Sequence, residues 1–216
     1  MTRTYLFLSA FLAVMAVSCS KEPMAGPDPD PETTPTTPTS PSGSNKLTGV
    51  WKYAGMKING QTVSESNIEG QAMRGIIDMD YTTFNNSGTV TFEETTVASN
   101  NIGYSLDTKV RVRAYIDGVL FRDMNESWPL TIPPMSSNGK YNMIGTDSVR
   151  IEGVVSSVPS STGQLSKSIP ATYKIAWAGD TLVLRAHIIF SSSEEHDGIT
   201  AVSHNDLYQE LKLARK

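Results

Sequence analysis

Lys109-Val-Arg-Val-Arg-Ala-Tyr-Ile-Asp-Gly-Val-Leu-Phe-Arg-Asp-Met124 is the stretch that decides the fold class. Val110, Val112, Ala114 and Ile116 alternate with Lys109, Arg111, Arg113 and Tyr115. An alternation of period two gives a strand one apolar and one polar face, as a half-buried antiparallel sheet requires. Asp117-Gly118 then breaks the pattern with the residue pair that a tight type I′ turn favours, since both of its central positions need positive φ. Apolar residues resume at Val119. The stretch predicts a β-hairpin, and no helical period competes with it.

The same logic extends in both directions. Tyr173, Ile175 and Trp177 alternate with Thr172, Lys174 and Ala176; Gly179-Asp180 turns the chain, and Leu182, Leu184, Ala186, Ile188 and Phe190 follow. Further strands are expected at Val50 to Ile58 before an Asn59-Gly60 turn, at Ile76 to Phe84 before a turn at Asn85 to Gly88, at Thr89 to Phe92, and at Ser148 to Val155. Ser66 with Glu69 fits a helix capping box, so Ser66 to Met73 is expected as one short helix. At the C-terminus, Leu207, Gln209, Leu211 and Leu213 alternate as a closing strand would, with a short surface helix as the alternative. About eight strands joined by local turns imply an all-β domain.

Composition separates this domain from what precedes it. Seven of the twelve prolines fall between residues 20 and 45 (Pro23, Pro27, Pro29, Pro31, Pro35, Pro38 and Pro41), among threonines and the acids Glu22, Asp28, Asp30 and Glu32. With no apolar period to bury, this segment reads as an extended tether reaching about 70 to 80 Å. Residues 46–216 carry sixteen basic and eighteen acidic side chains, so no basic footprint for nucleic acid exists there. They suffice for one domain. The first residues are of a third kind: Arg3, then an apolar run from Tyr5 to Val17 broken at Ser9 and too short to span a bilayer, then Ala16-Val17-Ser18-Cys19.

That N-terminus resembles a bacterial lipoprotein signal, with alanine where the lipobox usually has leucine. The resemblance implies a signal peptide at 1–18 and acylation of Cys19, the sole cysteine of the chain. It also implies attachment by lipid, as palmitate or a related acyl chain, to the outer membrane of a Gram-negative bacterium, on the periplasmic or the outer face. Leu47-Thr48-Gly49-Val50-Trp51-Lys52, at the tether boundary, resembles the G-x-W opening of lipocalin-like proteins. Glycine there allows close chain approach, and tryptophan plugs the closed end of a small barrel. The resemblance implies a small antiparallel up-and-down barrel of about eight strands over residues 46–216, of the kind found in lipoproteins of Gram-negative gut anaerobes. It implies an arginine across the Trp51 ring, Arg215 first by position and Arg185 in reserve. A β-sandwich is the alternative.

Catalytic machinery is hard to find. The sequence contains no G-x-S-x-G, H-E-x-x-H, P-loop or G-x-G-x-x-G, so no catalytic residue, cofactor or metal is expected. Glu194-Glu195-His196-Asp197, with His187, His204 and Asp206 nearby, matches no metal-ligand spacing and reads as a solvated loop. Asp78 and Asp80 read as the wet side of a strand, and Tyr53, Phe92, Tyr115, Trp128, Tyr173 and Trp177 as core before cavity lining. Asp147-Ser148-Val149 and Asp180-Thr181-Leu182 resemble the short Asp-Ser/Thr-apolar acceptor for O-glycosylation in such bacteria, which makes Ser148 and Thr181 candidate acceptors. Function narrows to a binding module for a small apolar or amphipathic ligand. The alternative is a structural lipoprotein whose filled barrel contacts a protein or glycan.

Overall fold

The computed structural model describes residues 47–153, 169–196 and 198–216, and of His196 the backbone alone. Cys19, the signal segment and the tether lie outside the described residues, as do Val154, Val155 and Asp197. The described residues form nine strands and no helix: β1 (Gly49–Ile68), β2 (Gln71–Thr82), β3 (Phe84–Phe92), β4 (Thr96–Ile116), β5 (Val119–Ile144), β6 (Ser148–Glu152), β7 (Ala171–Ala178), β8 (Thr181–His196) and β9 (Ile199–Arg215).

All pairings are antiparallel, and β9 returns to β1 over Trp51 to Ser66. The ring closes with eight strand positions, because β2 and β3 together fill one of them. Met73 faces Ile116 and Phe92 faces Val97 on β4, so nineteen steps along one chain (73 to 92) match nineteen along the other (116 to 97). β2 and β3 are therefore one long strand with an irregularity between them. The architecture is the up-and-down barrel, and no second sheet exists among the described residues for a sandwich.

Four expectations about local structure are corrected, the first being the loop at Glu194 to His196: these residues continue β8 as strand paired with β9, with Glu194 and Glu195 exposed. Asn59-Gly60 is not a turn: β1 runs through it, and a Cβ at Gly60 would lie 2.2 Å from the Asp206 carbonyl oxygen, so glycine serves close approach of β9. Asn85 to Gly88 is not a reversal either. Asn85 and Gly88 take positive φ (50° and 98°) where the β2–β3 strand runs seven residues, Thr82 to Thr89, against five on β1, Lys52 to Lys57. Ser66 to Met73 is a hairpin turn, not a helix, with Glu69 and Gly70 at φ 50° and 86°. A capping box is four residues of weak propensity, whereas β1, β2 and β9 offer a continuous ladder to Ile68. Asp117-Gly118 and Gly179-Asp180 turn as expected, and the C-terminal segment is the closing strand.

Strand direction gives the barrel a base and a mouth. The base gathers the start of β1, the end of β9 and the β3–β4, β5–β6 and β7–β8 turns. The mouth gathers the β1–β2, β4–β5 and β8–β9 turns. Towards the base the inward side chains are fully buried: Trp51, Val90, Phe92, Leu182, Leu211 and Leu213 are at most 1% exposed. Each such side chain contributes roughly 1.5 to 3 kcal/mol on leaving water. The whole ring and this core lie within Leu47–Arg215, so the stretch is a self-contained folding unit.

Candidate ligand site in the barrel mouth

At the base, Trp51 donates its indole N–H to the Leu47 carbonyl (2.8 Å) and lies 5.7 Å from the Trp177 ring centroid. Arg215, in register opposite Trp51, holds its guanidinium carbon 5.8 Å from the ring centroid. Arg185 lies elsewhere, on the outer wall, bonded to Glu210 at 2.7 Å. Phe92 meets Tyr141 edge-on at 5.2 Å. Trp51 and Phe92, both 1% exposed, fill this end among the described residues.

Above the plug the interior turns polar. Tyr173 donates to Gln209 Oε1 (2.7 Å), and Gln209 in turn donates to the Met56 sulfur (2.8 Å). Tyr53, Tyr81 and Tyr104 share the barrel waist, with Tyr53 and Tyr104 rings 6.2 Å apart. Among the described residues the buried hydroxyl of Tyr81 has no hydrogen-bond partner, and that of Tyr53 lies near Thr83 without reaching hydrogen-bond geometry. Desolvation pushes the Tyr53 phenol up to about 12 and raises Tyr81, Tyr104 and Tyr173 as well.

Towards the mouth the inward residues are half-buried. Ile77, Val112, Met124, Trp128, Ile188 and Phe190 continue the inward alternation yet keep contact with solvent. On the β1 and β9 side, Thr62 donates to Asn205 Oδ1 (2.8 Å), and Ser64 and Ser203 share a hydrogen bond at 2.9 Å. Arg122 and Glu126 are the charged residues on the inward face of β5. Among the described residues, β5 from Val119 to Gly139 is paired with β4 alone and β8 from Ala186 with β9 alone. Pro129, Pro133 and Pro134 lie on this stretch of β5, which has a ladder on one side only and carries a register shift between Ile132 and Met135.

The outer wall is charged. Arg111 grips Asp123 through two bonds (2.7 and 2.9 Å) and holds its carboxyl below the usual carboxylate range. Asp78 and Asp80 point outward to Arg113 (2.5 Å) and Lys57 (3.5 Å). His187 bonds Asp206 (2.6 Å) and stacks on Tyr208 at 4.1 Å, while His204 bonds Ser191 (2.8 Å). No three of these groups converge on a metal position among the described residues. A wall that crosses a bilayer needs an apolar outward band about 25 Å tall. The outward side chains named above are instead charged and polar, and no described helix is long and apolar enough to cross either.

Of the sequence-marked aromatics, Tyr53, Phe92 and Tyr173 are core, Trp128 lines the mouth, Trp177 sits partly exposed at the base and Tyr115 is on the outer side. Ser148 is buried and donates to its neighbour Asp147, and Thr181 opens β8 half-buried. Sequence reasoning missed Tyr81, Tyr104, Thr62 and Asn205. Their signal was present in the alternation Ile58-Gly60-Thr62-Ser64, hidden by reading Asn59-Gly60 as a turn.

The chain matches no protein-family model, and no curated protein is significantly similar to it in sequence. One solved structure, that of Ail, the attachment invasion locus protein of Yersinia pestis, is similar over 77% of this chain and 99% of that one, at 11% identity and a TM-score of 0.20. At that score the likeness adds nothing to the strand geometry above.

Proposed function

We propose that the barrel is a binding module that takes a small apolar or amphipathic molecule through its mouth, carried on a lipoprotein anchored through Cys19 to the outer membrane. The observation that supports this is the change along the lumen. The base is filled by its own side chains, while inward apolar residues at the mouth, Trp128 and Phe190 among them, remain half-accessible. Contiguous accessible apolar surface marks a ligand or partner site, and small-molecule sites are concave, mostly apolar and furnished with few polar groups. Binding without catalysis is the reading, with no cofactor, metal or nucleic acid involved.

Native mass spectrometry of the protein from a native-like host, before and after organic extraction, tests it. A co-purified small molecule lost on extraction is the expected result. An empty barrel whose mouth is covered by a protein or glycan would favour the structural lipoprotein instead.

A further inference from the structure

The mouth sets hydroxyl and amide groups on one side against an apolar patch on the other, which Arg122 and Glu126 flank along β5. On the β1–β9 side, the Thr62–Asn205 and Ser64–Ser203 pairs form two rungs of inward hydroxyl and amide groups. Asn205 accepts from Thr62 through its oxygen, which leaves its NH2 group to donate. Three of eight strand positions round the ring, the β4–β5 pair presents Val112 against Met124, and Ile77 on β2 extends that surface.

Deeper on β2, four residues or ~13 Å below Ile77, the buried Tyr81 hydroxyl stands without a partner among the described residues. Both charges on the inward face of β5 lie above the waist, with Arg122 outermost and Glu126 beneath Met124.

From this arrangement we infer that the ligand is a rigid facial amphipath, a fused-ring hydrocarbon with hydroxyl groups along one side. Such a molecule lays its hydroxyls on the β1–β9 rungs and its bare face on Ile77, Val112 and Met124. Its inner end carries an acceptor for Tyr81, and an acidic outer end sits beside Arg122. A flexible acyl chain matches the apolar side only. It would strip water from the Asn205 amide and return no hydrogen bond, which binding sites penalise. This inference rests on the ligand-binding reading above and narrows it.

Three carboxylate probes separate the possibilities: cholate, 5β-cholanate with the same skeleton but no ring hydroxyls, and palmitate. Binding to residues 46–216 is followed by tryptophan fluorescence and by titration calorimetry. Cholate is expected to bind at least tenfold more tightly than cholanate. Thr62→Val with Asn205→Leu should erase that difference, weakening cholate and tightening cholanate. Ser64→Ala with Ser203→Ala, at half-exposed positions that tolerate truncation, should reduce the difference should the first pair fail to fold. Equal or tighter binding of cholanate or palmitate overturns the facial inference and leaves the binding module standing. Failure of all three probes to bind, with nothing co-purified, overturns both.

Discussion

Removing the Trp51 ring tests whether the base plug holds the barrel together. Trp51 is 1% exposed, touches Trp177, and donates to the carbonyl of buried Leu47. Trp51→Ala removes the ring from a closed core, which costs about 3 to 5 kcal/mol by lost transfer and cavity. That total includes about 1 kcal/mol for the lost indole hydrogen bond. Trp51→Phe keeps most of the volume, so the lost N–H bond dominates and the cost should fall to about 1 to 2 kcal/mol. Arg215 adds a coupled contribution. Its head is exposed above the ring, so a double-mutant cycle of Trp51→Phe and Arg215→Ala should give a coupling of about 0.5 kcal/mol, since phenylalanine retains part of the cation–π attraction. Arg185→Ala, on the outer wall with Glu210, should show none. Urea unfolding of residues 46–216 gives each value, with an unchanged denaturant slope as the check that the unfolded state is the same. A cost below about 1 kcal/mol for Trp51→Ala, the range of surface substitutions, would refute the plug.

The four buried phenols predict an alkaline limit. Folded Tyr53 ionises only near 12, and Tyr81, Tyr104 and Tyr173 are also raised, whereas unfolded tyrosines ionise near 10. Stability should be fully present below pH 10 and fall above it by about 1.4 kcal/mol per pH unit per phenol, roughly 5 kcal/mol per unit together. Circular dichroism and tyrosinate absorbance should therefore change together between about pH 11 and 12, and phenolate from these four appearing near pH 10 in a folded barrel would contradict their burial. Cys19→Ser should move the protein from the detergent phase to the aqueous phase in phase partitioning, because the barrel wall is charged outside; equal retention of both forms would sink the lipid anchor.

Much of the barrel was legible because its information is local. The hairpins about Asp117-Gly118 and Gly179-Asp180 announce themselves through alternation and turn residues, and Leu207 to Leu213 announces the closing strand. What failed was glycine. Gly60 and Gly88 look like turn residues, yet each is required by a neighbouring backbone, Asp206 on β9 and Asn101 on β4, where a Cβ would fall 2.2 and 2.4 Å from a carbonyl oxygen. Close approach between strands distant in sequence leaves the same residue behind as a tight turn does, and a single sequence does not separate them. Reading Gly60 as a turn cut β1 in half and removed Thr62, Ser64 and their β9 partners from view.

The polarity of the mouth follows from the same strand pair. Extending β1 past Gly60 brings Thr62 and Ser64 opposite Asn205 and Ser203, and each pair satisfies itself across the β1–β9 ladder. The paired oxygens tolerate an empty mouth, while the half-buried Asn205 NH2 group is left to water or to a ligand hydroxyl. Tyr81 is different, since its hydroxyl is buried and unmatched among the described residues, and an unmade bond of this kind costs about 1 to 3 kcal/mol. If the barrel takes a ligand as proposed, an acceptor group at its inner end that meets Tyr81, and not apolar area alone, should decide which molecules stay.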